Sequence, residues 1–254
     1  MRALLVAVGL ALLQSGGPAI RVLPEAPRGM AMEERNGDNI PYDGRFVFAR
    51  IRYQVSGFGF RGDPPWRHDH PRAERHFTKI LSELSTIVSY QDGGNVFTLD
   101  DPELFKYPVA YMAEPGFWTL TEKEAEAFRA YLAKGGFAIF DDFAGDQWIN
   151  FAERMREVLP DGMLVELTPE HPIFDSFFRI ESLEFRHPYW GQFPSRFFGI
   201  YEDNDPSKRL LVIVNYNNDI AEYWEWSDTD WAPIELSNEA YKLGVNYIVY
   251  AMTH

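Results

Sequence analysis

The chain contains no cysteine, and this absence excludes several kinds of protein chemistry. It rules out disulfide bonds, a lipid anchor on an N-terminal cysteine, and every mechanism that needs a thiolate. Positive charge is also scarce, since 24 Lys and Arg residues stand against 38 Asp and Glu residues, a formal net charge of −14. Because such a chain repels phosphate backbones and anionic lipid headgroups, we expect no binding to nucleic acid.

The apolar run at the N-terminus is too short to cross a membrane. It extends from Ala3 to Leu13 and follows Met1-Arg2, and at about 1.5 Å per residue it falls well short of a bilayer core of roughly 30 Å. Such a run is typical of a secretory signal. We therefore predict a signal peptide over residues 1–19, no transmembrane span after its cleavage, and an exported protein, periplasmic or secreted. An uncleaved membrane anchor is the alternative.

Residues 20–44 show no apolar periodicity. They contain Pro24, Pro27 and Pro41 together with glycines and charged residues, which predicts a linker or an extended arm. The rest of the chain, residues 45–254, has a length that suits one α/β domain and is ample to bury a core.

The segment from Pro108 to Phe143 predicts a β-α-β unit. Residues 109–112 and 137–140 are short apolar runs, as expected of strands that are covered on both faces of a parallel sheet. Between them, Thr121 and Glu124 have the spacing of a capping box at a helix start, and Gly135 is placed to end that helix. The second strand delivers Asp141 and Asp142 to a loop.

The other periodic segments continue this alternation of strands and helices. We predict a strand over 46–53, a helix carrying Phe77 to Val88, a central strand over 210–214 and a last helix capped by Ser237. Residues 168–209 are less regular. The alternation predicts an α/β fold with a mostly parallel sheet.

Several runs of residues together resemble one bacterial family. They are WxxDxPxAExxF at 66–77, YPVAYM at 107–112, YLAKGGFAIFDDF at 131–143, VIVNYNNDI at 212–220 and YKLGVNYIVYAMTH at 241–254. Over residues 45–254 the chain resembles the family DUF4159. The resemblance implies a flavodoxin-like three-layer sandwich with a mostly parallel central sheet, similar to class I glutamine amidotransferases and ThuA-like proteins. It also implies association with MoxR-type ATPases and von Willebrand A-domain proteins, and it implies no established reaction.

Amidotransferase chemistry is nevertheless excluded, because enzymes of that class attack glutamine with a cysteine and this chain has none. A serine in its place would need a Gly-x-Ser-x-Gly elbow, and the sequence contains no such motif. Nucleophilic catalysis of that kind is therefore not expected.

Polar residues follow two of the predicted strands at their carboxyl ends. Asp141 and Asp142 follow one strand, and Asn215, Asn217 and Asp219 follow another. Ligands bind at this edge of open α/β sheets, so these residues are candidates for a binding site. Helix capping and turn formation are the alternative roles for the same residue types.

The segment before the first helix carries further candidates. Trp66, Asp69 and Arg72 are candidate ligand-binding residues at the same edge. Imidazole and carboxylate groups are metal ligands, which makes a divalent metal ion possible as a cofactor, although no motif firmly implies one. The candidate metal ligands are His68, His70 and His76. Capping of the helix and a solvated helix face are the alternatives.

Two hypotheses for function remain. The first is an exported non-catalytic module that binds an unknown protein partner or a small molecule through this edge and an aromatic segment, Tyr223 to Trp231. Packing of those rings under a loop is the alternative for that segment. The second is a carboxylate- or metal-dependent hydrolase acting on carbohydrate or a related small molecule, and it requires the carboxylates to converge in space.

Overall fold

The computed structural model describes residues 39–55, 63–185, 191 and 193–254. The predicted signal peptide, residues 1–19, and most of the predicted arm, up to residue 38, lie outside these residues. Asn39 and Ile40 are described, and both form hydrogen bonds with the edge strand of the sheet, at Val96 and Asn95 respectively.

Strands and helices alternate along the described chain. The strands are β1 (Phe46–Ile51), β2 (Gln54–Val55), β3 (Ser89–Phe97), β4 (Val109–Ala113), β5 (Trp118–Thr119), β6 (Phe137–Phe143), β7 (Val165–Glu166), β8 (Arg196–Tyr201) and β9 (Leu210–Tyr216). The helices are α1 (Arg72–Leu84), α2 (Glu122–Ala133), α3 (Gln147–Val158), α4 (Ile220–Glu225) and α5 (Ile234–Thr253).

A seven-stranded sheet in the order β3-β1-β4-β6-β9-β8-β7 forms the centre of the domain. The neighbours from β3 to β9 are parallel, whereas β8 is antiparallel to both β9 and β7. Strands β2 and β5 form a separate antiparallel pair. The prediction of an α/β fold with a mostly parallel central sheet is confirmed, and the arrangement is compatible with a flavodoxin-like sandwich.

Alternate residues of the central strands face two hydrophobic cores. Phe48, Tyr111 and Ile139 point to the core that α1, α4 and α5 complete. Ala110 and Phe140 point to the opposite core, which α2 and α3 complete. Helices thus cover both faces of the sheet, which is the reason why β4 and β6 are apolar throughout most of their length.

The predicted β-α-β unit is confirmed, with one correction. Thr121 and Glu124 form a complete capping box at the start of α2, and Gly135 adopts a left-handed backbone with φ of 108° just after the helix. The correction concerns the end of β6, which continues to Phe143 because the amide of Asp142 and the carbonyl of Phe143 are bonded to Asn218 and Asn217. The two aspartates therefore end the strand and do not lie in a loop.

Other boundaries also differ from the predictions. Ser237 lies inside α5, which begins after Pro233, so it does not cap the helix. Val88 lies outside α1 and is 67% exposed. Residues 168–209, which were predicted to be less regular, contain strand β8, and this strand pairs with β9. None of the helices in the described ranges is long and apolar enough to cross a membrane.

Candidate functional site

Acidic side chains from four separate segments meet at the carboxyl edge of the sheet. The segments are the turn before α1, the residue after β4, the end of β6 and the start of α4. Because the parallel strands all end at this edge, residues far apart in sequence are brought together there. We call this group the acidic cluster; it consists of Asp69, Glu114, Asp142, Asp219 and Glu222, placed around the imidazole of His68.

The imidazole of His68 is the centre of the cluster. Its Nδ1 lies 2.5 Å from Asp142 Oδ2, 3.7 Å from Asp69 Oδ1 and 3.8 Å from Glu114 Oε1. Its Nε2 lies 4.0 Å from Glu222 Oε2. The ring is 46% exposed, so the cluster is open to solvent on the His68 side while the carboxylates behind it are mostly buried.

The ligand atoms lie close enough together for one cation to bridge them. His68, Asp69, Asp219 and Glu222 each offer an atom within 4.8 Å of the others, and so do His68, Glu114 and Asp142. Carboxylate oxygens and an imidazole nitrogen are ordinary ligands of divalent metal ions. The two sets share His68, so they are adjacent parts of one site.

Asp69 is the least satisfied member of the cluster. Its side chain is 0% exposed, and neither carboxylate oxygen accepts a hydrogen bond from any described residue. The carboxyl group of Glu222 is close enough to share a proton with it once one of the two is protonated. A buried carboxylate that accepts no hydrogen bond is unfavourable, because the nearby charges of His68 and Arg50 compensate only part of its lost hydration.

The crowding of acids shifts their ionisation. Burial, and then the neighbouring Asp69, raise the pKa of Glu222 to about 9, while burial and the charge of Asp142 raise the pKa of Glu114 to about 8. Burial raises the pKa of Asp219 well above its usual value. The carboxylates have the opposite effect on His68: Asp69 and then Asp142 raise the pKa of its ring far above the ordinary value. The cluster therefore favours positive charge and disfavours further negative charge.

Three members of the cluster adopt a left-handed backbone. The φ angles are 63° at Asp69, 45° at Glu114 and 61° at Asp142. This region is uncommon for residues other than glycine, and departures of this kind gather at functional sites. Asp69 lies in the turn before α1, Glu114 follows β4 and Asp142 is near the end of β6, so all three unusual backbone positions are at the carboxyl edge of the sheet.

The segment that carries His68 and Asp69 is held by a buried arginine. Arg50, on β1, donates from Nη1 to the carbonyl oxygens of Trp66 at 3.1 Å and His68 at 2.7 Å. Its Nε donates to Glu74 of α1, and both side chains are 0% exposed. Burial opposes the ionisation of Glu74, but Arg50 and then His70 outweigh it and lower the pKa of Glu74 to about 2. Arg50 is thus a permanent buried cation beside the cluster.

Asp141 has a structural role of its own behind the cluster. Its carboxylate accepts hydrogen bonds from the hydroxyl of Tyr111, the amide of Asn215 and the backbone amides of Ile220 and Ala221. The last two are at the start of α4, so Asp141 anchors the helix that presents Glu222. With all these donors around it, Asp141 is separate from the ligand sets, although it was predicted alongside Asp142.

Asp142 and Asp219, by contrast, belong to the cluster. Asp142 bonds to His68, as described above, and is almost fully buried. Asp219 precedes α4 and accepts a hydrogen bond from the amide of Glu222 at 3.0 Å through Oδ1. One carboxylate oxygen of Asp219 is therefore used as a helix cap, which fixes the orientation of the other.

His70 and His76 do not lie with His68 in a common ligand set. Nδ1 of His70 is 3.1 Å from Glu74 Oε1, and Nδ1 of His76 is 2.8 Å from the carbonyl oxygen of Trp224. Both rings are therefore held by contacts between α1 and its neighbours. Of the histidines predicted as metal ligands, the structure brings only His68 into the acidic cluster among the described residues.

Two further candidates are built into the scaffold. Trp66 is buried in the core, and its carbonyl oxygen is held by Arg50. Asn217 ties two loops together, since its side chain accepts from the amide of Gly145 and donates to the carbonyl of Pro194. Neither side chain is among the ligand sets of the cluster.

Arg72 and the aromatic segment lie at the rim. The guanidinium of Arg72 pairs with Asp228 at 2.5 Å and lies 4.5 Å from the centre of the Trp226 ring. Trp226 is only partly buried. The other rings of the segment are buried in the core; they are Tyr223 and Trp224 on α4 and Trp231 after it.

Neither Glu114 nor Glu222 was predicted from the sequence as a ligand-binding residue. Glu114 follows β4 directly, so the rule that selected Asp141 and Asp142 at a strand end applies to it equally. Glu222 lies three residues after Asp219, which is the spacing of a helix cap and its partner. No sequence signal indicated that these two carboxyls would converge on His68.

The family assignment rests on a match over nearly the whole described domain. A search of the curated proteins finds no match to this chain. The model of one protein family, described as a domain of unknown function, DUF4159, matches residues 47–252. This confirms the resemblance seen in the sequence motifs, and the chain belongs to the DUF4159 family.

Proposed function

We propose that this domain is a binding module that captures a divalent metal ion at the carboxyl edge of its sheet. The proposed ligands are His68, Asp69, Asp219 and Glu222, whose ligand atoms lie within 4.8 Å of one another. The ion in turn provides open coordination positions on the exposed side of the site. A small molecule or an acidic group of a partner protein then binds at those positions.

The unsatisfied carboxylate of Asp69 is the observation that carries this proposal. A cluster of acids alone is common at protein surfaces, where water hydrates each group. Asp69 is different because its side chain is fully buried and lacks a permanent hydrogen-bond donor among the described residues, since Glu222 can donate to it only while Glu222 is itself protonated. A cation that coordinates its oxygens supplies the missing partner and removes the repulsion with Glu222 and Asp219.

A divalent metal ion fits better than an organic cation. The four ligand atoms lie within 4.8 Å of one another, and one divalent ion can be coordinated by all of them, whereas an ammonium group has three N–H donors and a single charge to set against three carboxylates. Carboxylate-rich sets with a single imidazole suit Mn²⁺, Mg²⁺ or Zn²⁺, and softer ions that prefer thiolates have no cysteine here. Mn²⁺ is the most useful probe because it accepts both oxygen and nitrogen ligands.

Titration of the purified protein with Mn²⁺ tests the proposal. We expect saturable binding by calorimetry, and we expect Glu222→Gln to weaken it at least about tenfold, because the amide oxygen is a poorer ligand and carries no charge. Glu239→Gln is the matched control, since Glu239 is a partly exposed glutamate that pairs with Lys242 on α5. Equal affinity in the wild type and Glu222→Gln, or equal weakening in both variants, would contradict the proposal.

A metal-assisted hydrolase is the second candidate, and Glu114 is the observation that favours it. Glu114 is next to the proposed ion, its side chain is 24% exposed, and its pKa is raised to about 8 by burial and by Asp142. A carboxyl group with these properties is suited to exchange protons with a metal-bound water at neutral pH. Turnover of a glycoside or ester that Glu114→Gln abolishes, without loss of bound Mn²⁺, would decide for this candidate over the non-catalytic module.

Export remains a proposal based on the N-terminal sequence. The apolar run from Ala3 to Leu13 supports it, as does the short positively charged start. N-terminal sequencing of the protein recovered from its producing cells tests this directly. An N-terminus near residue 20 is expected, and mature protein in the cytoplasm that begins at Met1 would contradict export.

A further inference from the structure

A buried polar chain connects the two segments that present the proposed metal ligands. Its members are Arg50 on β1, Tyr111 on β4 and Asp141 on β6, which are adjacent strands of the sheet. All of them face the side of the sheet covered by α1, α4 and α5, and none is more than 1% exposed. Burying polar side chains at such positions costs hydration free energy that apolar side chains would not lose. Their presence in the core therefore indicates a specific role.

Arg50 forms one end of this chain. Its hydrogen bonds to the carbonyl oxygens of Trp66 and His68 fix the turn that contains His68 and Asp69. Glu74 holds the guanidinium from the other side and also bonds to His70. The backbone just before Asp69 is therefore tied to Arg50, and the side chain of His70 just after it is tied to Glu74, the ion-pair partner of Arg50.

Asp141 forms the other end. Its carboxylate accepts from the backbone amides of Ile220 at 3.0 Å and Ala221 at 3.2 Å, the first residues of α4. Helix N-termini favour negative charge, so this contact fixes the start of α4 and the direction in which the helix runs. Asp219 and Glu222 are carried by that helix start.

Tyr111 joins the two ends. The guanidinium carbon of Arg50 lies 4.9 Å from the centre of the Tyr111 ring, and the Tyr111 hydroxyl donates to Asp141 Oδ2 at 2.8 Å. A cation over an aromatic face and a hydroxyl bonded to a buried carboxylate are both stronger away from water. The position of the Trp66–Asp69 turn is thereby coupled to the position of α4.

We propose that Arg50, Tyr111 and Asp141 are positioning residues that set the spacing between the two halves of the ligand set, Asp69 on one side and Asp219 with Glu222 on the other. None of the three is part of either ligand set, so they act through the backbone of the segments they hold. This inference rests on the proposed metal site. Groups that hydrogen-bond directly to metal ligands typically change metal affinity by about 10- to 100-fold when they are removed, and residues that act through the backbone are expected at the lower end of that range.

Tyr111→Phe is the variant that tests the proposal, because it removes one hydroxyl and leaves the ring in place. Tyr131→Phe is the matched control: Tyr131 is also buried, and its hydroxyl bonds to the carbonyl oxygen of Tyr107 at 2.9 Å, in the opposite core. We expect Tyr111→Phe to weaken Mn²⁺ binding about tenfold or more. Both variants are expected to lower the melting temperature by similar amounts, because each removes one buried hydroxyl. Tyr131→Phe is expected to leave Mn²⁺ affinity unchanged.

Amide hydrogen exchange separates this inference from the metal site itself. In the metal-free protein we expect Tyr111→Phe to accelerate exchange at Ile220 and Ala221, whose amides bond to Asp141, whereas Tyr131→Phe leaves them unchanged. If the wild type binds no Mn²⁺, the proposed function fails while the exchange result still reports on positioning. Unchanged exchange at both amides in Tyr111→Phe, or an equal loss of Mn²⁺ affinity in the two tyrosine variants, would overturn the inference.

Discussion

Asp69→Asn is expected to weaken Mn²⁺ binding at least about a hundredfold and, at the same time, to stabilise the metal-free protein by about 1 to 2 kcal/mol. Binding falls because a charged ligand is replaced by a neutral one. Stability rises because burial opposes the ionisation of Asp69 and Asp142 repels its charge, and the attraction to His68 offsets these effects only in part. Asparagine has the same shape and tolerates the left-handed backbone at this position. Calorimetry with Mn²⁺ and thermal denaturation in EDTA measure the two effects.

Asp203→Asn provides the control for this variant. Asp203 is also an aspartate with a left-handed backbone, at a φ of 54°, but its side chain is 72% exposed and pairs with Lys208. Its replacement is expected to change neither Mn²⁺ affinity nor stability by a measurable amount. If Asp69→Asn lowers stability and binds Mn²⁺ as tightly as the wild type, the carboxylate of Asp69 is a structural group and the metal site is wrong.

The stability of the metal-free protein is expected to fall as the pH rises from about 6 to about 8. In the folded state the pKa values of Glu222 and Glu114 are raised to about 9 and about 8, against an ordinary value of 4.5. Between those limits the folded protein holds protons that the unfolded chain has released, so the free energy of unfolding decreases with rising pH. The raised pKa of His68 acts in the same direction above 6.5. A melting temperature lower by roughly 10 °C at the higher pH follows.

The stabilisation that a divalent metal ion adds is expected to increase with pH, opposite to the trend of the metal-free protein. A metal ion displaces the protons of its ligands, so its apparent affinity increases as the pH rises. The rise in melting temperature caused by Mn²⁺ is therefore expected to be larger at about pH 8 than at about pH 6. Thermal denaturation with Mn²⁺ or EDTA at the two pH values gives the comparison. A shift that is equal at both, or that shrinks at the higher pH, would show that Mn²⁺ does not compete with protons at the acidic cluster.

Local signals explain why the β-α-β unit was predictable. The capping box of Thr121 and Glu124 and the left-handed Gly135 are determined by residues a few positions apart, and the structure reproduces both. The apolar runs on either side are equally local. The carboxyl edge of the sheet was predictable as well, because all parallel strands end at the same edge.

Local sequence signals could not predict which residues form the acidic cluster. Glu222 and Asp69 are separated by most of the domain, and long-range contacts, including the packing of α4 against α1, bring them together. Asp141 and Asp142 are adjacent in sequence, yet one anchors α4 and the other contacts His68. Successive residues of a strand face opposite sides, and the left-handed backbone of Asp142 redirects its side chain. No residue pattern in one sequence distinguishes the two roles.

Crystals soaked in Mn²⁺ at about pH 8, with data recorded at a wavelength where manganese scatters anomalously, provide the most direct test of the metal site. We expect an anomalous peak within about 2.0 to 2.6 Å of oxygens from Asp69, Asp219 and Glu222, beside a nitrogen of His68. A peak between His68, Glu114 and Asp142 alone would move the ion to the adjacent ligand set and contradict the role given to Asp69. Absence of any peak at the acidic cluster, in crystals that show manganese elsewhere, would show that the cluster is not a metal site.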